Sequence, residues 1–222
     1  MKKKPLAQHI RSVLSESPPS NVAAWRTLRR QWSHEIESWP ADEVIELGLA
    51  LLDLNLWGRL TAYELIAYHS KGSEALTQKS LLQLGHNLND WIGVDTFACY
   101  LAGPAWREGR LPTRQVHAWL RSDDRWERRT GVVCTVALNV KARGGSGDVE
   151  RTLEVCRRVV SDRDDMVVKA ISWALRSLVP WDPAAVTDFL RTHDAELAPR
   201  IKREVNQKLR TGLKNPRSKK AK

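Results

Sequence analysis

The sequence predicts an all-α fold, an α-solenoid of stacked antiparallel helix pairs, on three observations. Apolar segments of roughly ten to eighteen residues recur at helical spacing along the chain. Short breaks separate them, and short loops make neighbouring helices antiparallel. Helix-start chemistry stands where segments begin. The breaks include Pro18-Pro19-Ser20, Trp39-Pro40, Lys71-Gly72-Ser73, Asn87 to Asp90, Gly103-Pro104, Leu111-Pro112, Ser122-Asp123-Asp124, Arg143 to Gly147, Ser161-Asp162 and Pro180 to Pro183. They delimit about a dozen helices, each of ordinary length.

Two starts are explicit. Asp182-Pro183 reads as an N-cap followed by proline at the first helical position. Ser161 with Asp164 resembles a capping box, with Asp in place of Glu. Gly131 to Val140 is rich in β-branched residues and could be a strand. However, Trp126, Thr130, Val133, Ala137 and Val140 recur at steps of four and three. That is one helical stripe, and no hairpin partner or turn lies beside it, so a helix is predicted.

Helix pairs of roughly 35 to 45 residues in series bury each pair's face against the next. No strict repeat is visible, so degenerate HEAT-like pairs fit better than ankyrin or tetratricopeptide repeats. A globular bundle is the alternative. Residues 1–213 read as a single domain with a concave basic face. Residues 214–222 read as a basic tail, disordered by composition, that either adds phosphate contacts or only solubilises.

With 222 residues, 42% of them hydrophobic and 28% charged, the chain has an ordinary globular balance and can bury a core. The net charge of +10 points to a polyanion, nucleic acid before an anionic membrane surface. Three cysteines without a CxxC pair argue against a disulfide framework or a zinc knuckle, and suit small buried residues in a reducing cytoplasm. The basic start is followed by no apolar run, so no signal peptide is expected. The apolar stretch Leu47 to Trp57 is broken by Asp53 and too short to span a bilayer. The six histidines are scattered without metal spacing, and no P-loop, GxGxxG or GxSxG occurs.

Three constellations could carry chemistry. Trp91 and Asp95 are one helical turn apart, on one face. A carboxylate beside an indole suits a cationic group or a cation-like transition state. The plainer alternative is an Asp near a helix start beside a core Trp. In Trp126-Glu127-Arg128-Arg129, Arg129 falls at the edge of the apolar stripe, where its fork suits a phosphate or a carboxylate. The alternative there is an Arg paired with a surface acid. In Lys169-Ala170-Ile171-Ser172-Trp173-Ala174-Leu175-Arg176, Trp173 shares a face with Met166 and Ala170, as a core or a wall residue. Most of the ten tryptophans must pack the core, and composition does not say which are exposed platforms.

These three runs, in this order, resemble the AlkD-like family of DNA alkylation repair proteins, which are HEAT-repeat DNA glycosylases. The likeness runs from about Asn21 to about Leu209, and the Lys169 to Trp173 run is its most specific part. The resemblance implies that Asp95 is the catalytic carboxylate. It implies that Trp91 and Trp173 wall the damaged nucleotide, and that Arg129 helps hold the DNA backbone. It further implies removal of positively charged N3- and N7-alkylated purines from duplex DNA, by a monomer, without metal or cofactor. Two departures stand out: Ile92-Gly93 replaces a commoner Asp-containing pair, and Ser172 replaces a usual Gly. The rival readings are a non-catalytic α-solenoid that binds damaged or branched DNA, and a protein scaffold with incidental charge.

Overall fold

A computed structural model describes residues 3–214, the side chains of Lys3 and Lys4 excepted. Of the basic tail only Lys214 is among them, and it is exposed; the rest of that segment lies outside the described residues. The described chain is helical throughout and contains no strand. It divides into two compact units, residues 1–112 and 113–222. No helix is long and apolar enough to cross a membrane, among the described residues.

The first unit holds α1 (Lys3–Glu16), α2 (Val22–Glu35), α3 (Ala41–Leu49), α4 (Leu56–Tyr68), α5 (Gln78–Leu84), α6 (Trp91–Phe97) and α7 (Gly103–Arg107). Its centre is α4, which packs against α1, α2, α3 and α6. Every residue from Leu60 to Ile66 is buried, so this helix has no solvent face in its middle. The polar side chains it carries inward must then be satisfied there. Thr61 accepts a hydrogen bond from the Trp25 indole at 2.9 Å, and the Tyr63 hydroxyl donates to the Leu84 carbonyl at 2.8 Å. Glu64 accepts from Arg29 at 3.0 Å, and the same guanidinium stacks on Tyr68 at 4.4 Å.

The second unit holds α8 (Thr113–Leu120), α9 (Arg125–Asn139), α10 (Val149–Arg158), α11 (Asp165–Leu178), α12 (Pro183–Thr192) and α13 (Pro199–Thr211). Here α9, α11 and α13 pack side by side in series, while α8, α10 and α12 pack along them. The segment predicted as helix over strand is α9, with Thr130, Val133 and Ala137 buried. Burial of the whole run from Arg129 to Asn139 explains its β-branched character, since such residues pack well wherever a face is enclosed. All three cysteines are buried, and burial pushes the Cys156 thiol up to about 12.

Two local expectations are corrected, at Gly103-Pro104 and at Ser161. The stretch from Trp39-Pro40 to Lys71 holds two helices, α3 and α4. It breaks between Leu49 and Leu56, where Asn55 caps α4 by accepting from the Gly58 N–H at 3.0 Å. Gly103-Pro104 does not interrupt the chain's helical course. Residues Ala98–Ala102 form a π-helical turn that joins α6 to α7 without a loop, and the Gly103 N–H reaches back to the Ala98 carbonyl. That wider turn accommodates the missing N–H of Pro104. The start of α11 is capped by Asp164, which accepts from the Met166 N–H at 2.9 Å, and not by Ser161. Asp162 accepts from the Asp164 N–H at 2.8 Å and from Arg128, which fixes a turn that puts the cap three residues beyond Ser161. The Asp182-Pro183 start is as expected, with Asp182 accepting from the Ala185 N–H.

The close approach of α8 and α9 depends on Gly131. A Cβ there would sit 2.8 Å from the Leu120 side chain and 3.3 Å from the Val116 carbonyl. Gly131→Val should therefore lower unfolding stability by about 1–3 kcal/mol through overpacking, read in urea titration. An unchanged midpoint would show that this contact does not limit the packing of the two helices.

Candidate functional site

The Trp91–Asp95 pair is set by the start of α6. Asn87 takes a left-handed conformation, with φ of 54°, and turns the chain towards Asp90. Asp90 caps the helix by accepting from the Gly93 N–H at 2.8 Å. Gly93 is buried, and a Cβ there would come within 3.1 Å of the Asp90 carboxylate. The departure at Ile92-Gly93 thus serves the cap. Trp91 is the first residue of the helix and 52% exposed, alone among the ten tryptophans in being an exposed large side chain. Asp95 follows one turn later on the same face and is half-buried. An indole open to solvent costs transfer free energy on the order of 1.5–3 kcal/mol relative to burial, and a core role for Trp91 is excluded.

A cavity of about 410 Å³ opens beside Trp91, with Leu56, Arg59, Asp90 and Ile92 in its wall. Arg59 donates to the Asn87 carbonyl at 3.0 Å and so ties α4 to the turn that launches α6. Asp53, also in the wall, is paired with Arg11 at 2.8 Å; that hydrogen bond holds its carboxyl below the usual value, against the opposing effect of burial. The π turn that follows α6 carries Tyr100, which meets Tyr68 edge-on at 6.0 Å. Burial, then the hydrogen bond with Tyr100, raises the Tyr68 hydroxyl to about 12.

In the second unit, Arg129 and Trp173 are both tied to α11. Arg129 is only 5% exposed, and its guanidinium donates to the Met166 carbonyl in the first turn of that helix. Trp173 lies two turns further on, is half-buried and lines a second cavity. The Ser172 departure has a structural account. Ser172 is fully buried, donates to Glu204 at 2.7 Å and accepts from Arg176 at 3.2 Å. Arg176 lies 3.7 Å from Glu204, so a serine in place of glycine joins α11 to α13 through a polar triad.

The second cavity measures about 450 Å³ and is contained in the second unit. Its wall combines Trp173 and Trp181 with Lys141, Arg176, Lys208 and Lys214. Asn139 holds that wall together. It is 3% exposed, donates to Thr152 at 2.9 Å and to the Thr135 carbonyl at 3.0 Å, and accepts from the Asp148 N–H at 2.9 Å. Its own carbonyl accepts from the Trp181 indole at 2.7 Å. Lys141, Trp181 and Lys208 were not apparent as site residues from sequence. Trp181 sits in a break between Pro180 and Pro183, outside any helical stripe, and that displacement is the signal that could have found it.

The chain has a match among protein families. A model of the DNA alkylation repair enzyme family covers residues 20–209. The chain belongs to that family, and its substrate is accordingly alkylated DNA. No curated protein matches it.

The first turn of α11 gives a pH prediction. The hydrogen bond from Lys169 holds the Asp165 carboxyl below its usual value, burial opposing; the charges of Arg200, Lys169 and Arg129 add to the lowering. A depressed folded pKa gives stability that is present above the unfolded value of about 3.9 and is lost as pH falls through the lower folded value. The advantage of wild type over Asp165→Asn in urea unfolding should therefore be full near neutrality and shrink below about pH 4. Because Asp165 is well exposed, the difference will be small. A difference that stays constant through the acid range would contradict the ion pairing.

Proposed function

We propose that this protein is a DNA glycosylase that removes positively charged N3- and N7-alkylated purines from duplex DNA, with Asp95 as its catalytic carboxylate. The observation that carries the reading is the pairing of an exposed Trp91 with Asp95 one turn along the same face of α6. Alkylation at N3 or N7 makes the purine a good leaving group. The glycosidic bond then breaks towards an oxocarbenium-like sugar. Asp95 stabilises that positive charge and positions the attacking water. The indole faces of Trp91 and Trp173 pack on the nucleotide and favour its developing charge. The bonding electron pair goes to the cationic base, which leaves as a neutral alkylpurine, so no general acid is required, and the reading includes neither metal nor cofactor.

Arg129 contributes to holding the DNA backbone. A side chain only 5% exposed would act there through its charge beneath the surface of α9 and α11 more than through an extended reach. Residues 1–213 act as one functional module of HEAT-like helix pairs that presents a basic side to DNA, and the serial pairing inside the second unit supports this. Phosphate contacts from that side grip the duplex and leave sequence unread. The protein works as a monomer in the cytoplasm.

The test is base release from duplex DNA carrying N7-methylguanine, with wild type and Asp95→Asn side by side. Wild type should release the base. Asp95→Asn should keep DNA binding and lose about a hundredfold or more of the rate, the scale of removing one preorganised electrostatic stabiliser. Excision by the variant at the wild-type rate would remove the carboxylate from the mechanism. Release by neither, with salt-sensitive binding intact, would leave a DNA-binding protein without this activity.

A further inference from the structure

We propose that the cavity of the second unit is a pocket for the phosphodiester backbone of one DNA strand, with Trp181 as the apolar wall for the adjoining deoxyribose. This rests on the reading of DNA as the partner, and it adds a contact site centred on Lys141, Trp181 and Lys208. The cavity, of about 450 Å³, is lined by four basic side chains, Lys141, Arg176, Lys208 and Lys214, and, among the described residues, by no Asp or Glu. Glu204, which pairs with Arg176, is engaged by Ser172 and Arg176 and offsets one of those charges.

Basic residues near helix C-termini have an ordinary use, which is to offset the negative end of the helix. Magnitudes separate that use from a binding site. The cavity lies at the C-terminal ends of α9, α11 and α13. Each end is equivalent to about half a negative charge, so the three together amount to about −1.5. Three cations remain after Arg176 is matched with Glu204, and they exceed that sum by more than a full charge. The excess suits a singly charged phosphodiester. Lys208 uses one N–H on the Gly212 carbonyl, and an ammonium has three.

The aromatic wall is held in place before any ligand arrives. The Trp181 indole N–H is anchored on the Asn139 carbonyl, and its ring lies over Gly147, where a Cβ would come within 2.7 Å. Gly147 has a φ of 87°, which excludes most side chains from that position in any case. The Lys141 ammonium stands 5.1 Å from the centre of the Trp181 ring. A fixed indole with an ammonium at its face offers a sugar an apolar surface and the next phosphate a charge, with little ordering left to do on binding. An acidic peptide would meet the same charges but would make no use of a rigid sugar-sized wall.

The experiment is equilibrium binding of the full chain to undamaged duplex DNA over a range of salt. Wild type is compared with Lys141→Gln/Lys208→Gln, in which glutamine keeps a donor for the Gly212 carbonyl but carries no charge. Arg191→Ala, already neutralised by Asp188 and outside the cavity wall, serves as a control that should match wild type. The salt slope should fall by about 1–2 in the double variant, since each phosphate contact contributes about 0.9. A scan of single methylphosphonate linkages should find one or two adjacent positions that weaken wild type and no longer weaken the variant. An unchanged slope with a superposable scan would overturn the pocket, as would binding of an acidic peptide that competes at the same lysines while the DNA slope stays constant. A lowered slope in a protein that releases no base would uphold the pocket and refute the glycosylase reading, so the two can fail separately.

Discussion

Among the described residues no helix is long enough to be stable alone. The longest, α9, has 15 residues, and helices of about that length are marginal in water. Each therefore depends on burying a face against a neighbour, and the whole architecture follows from that requirement. Two helices bear most of it: α4 is enclosed in the first unit, and α11 lies between α9 and α13 in the second. Chemistry is left to what the packing does not consume, namely helix starts and ends and the turns between them. Trp91 opens α6, the Asn139 to Lys141 turn closes α9, and Trp181 lies between α11 and α12.

Enclosing helices on every side forces polar groups inward, and their partners then select one arrangement. Leaving such a group unmatched costs about 1–3 kcal/mol, more when it is charged. Glu64 is matched by Arg29, Thr61 by Trp25 and Asn139 by four separate bonds. The Ser172–Arg176–Glu204 triad does the same between α11 and α13. These links also hold the functional groups still. Asn139 anchors the ring of Trp181, and the triad steadies the helix that carries Trp173. Preorganisation of this kind is what an electrostatic site requires, because its benefit vanishes if the groups must reorganise during the reaction.

The helical class was legible from periodicity, and the Asp182-Pro183 start from capping chemistry, because both are local properties. The spacing of Trp91 and Asp95 was legible for the same reason. The break between α3 and α4 falls where Asp53 interrupts the apolar run from Leu47 to Trp57, but the cap at Asn55 shows only in the folded chain. The π turn was missed because a Gly-Pro pair reads as an ending, whereas tertiary packing carries the helix through it. The near-complete burial of Arg129 depends on how α9 meets α11, which no stripe on α9 alone reveals. The basic cavity assembles Lys141, Trp181 and Lys208 from three separate segments, so it becomes visible only once the second unit is folded.

The central claim is that Asp95 acts through its negative charge on a cationic sugar. It is tested most directly by binding duplexes that carry stable abasic analogues, one a cationic pyrrolidine and one a neutral tetrahydrofuran. A site complementary to the transition state binds the charged mimic more tightly, by about a hundredfold or more. The account predicts that preference in wild type and its loss in Asp95→Asn, with affinity for the neutral analogue little changed. Equal affinity of wild type for the two analogues, or a preference that survives in Asp95→Asn, would contradict it.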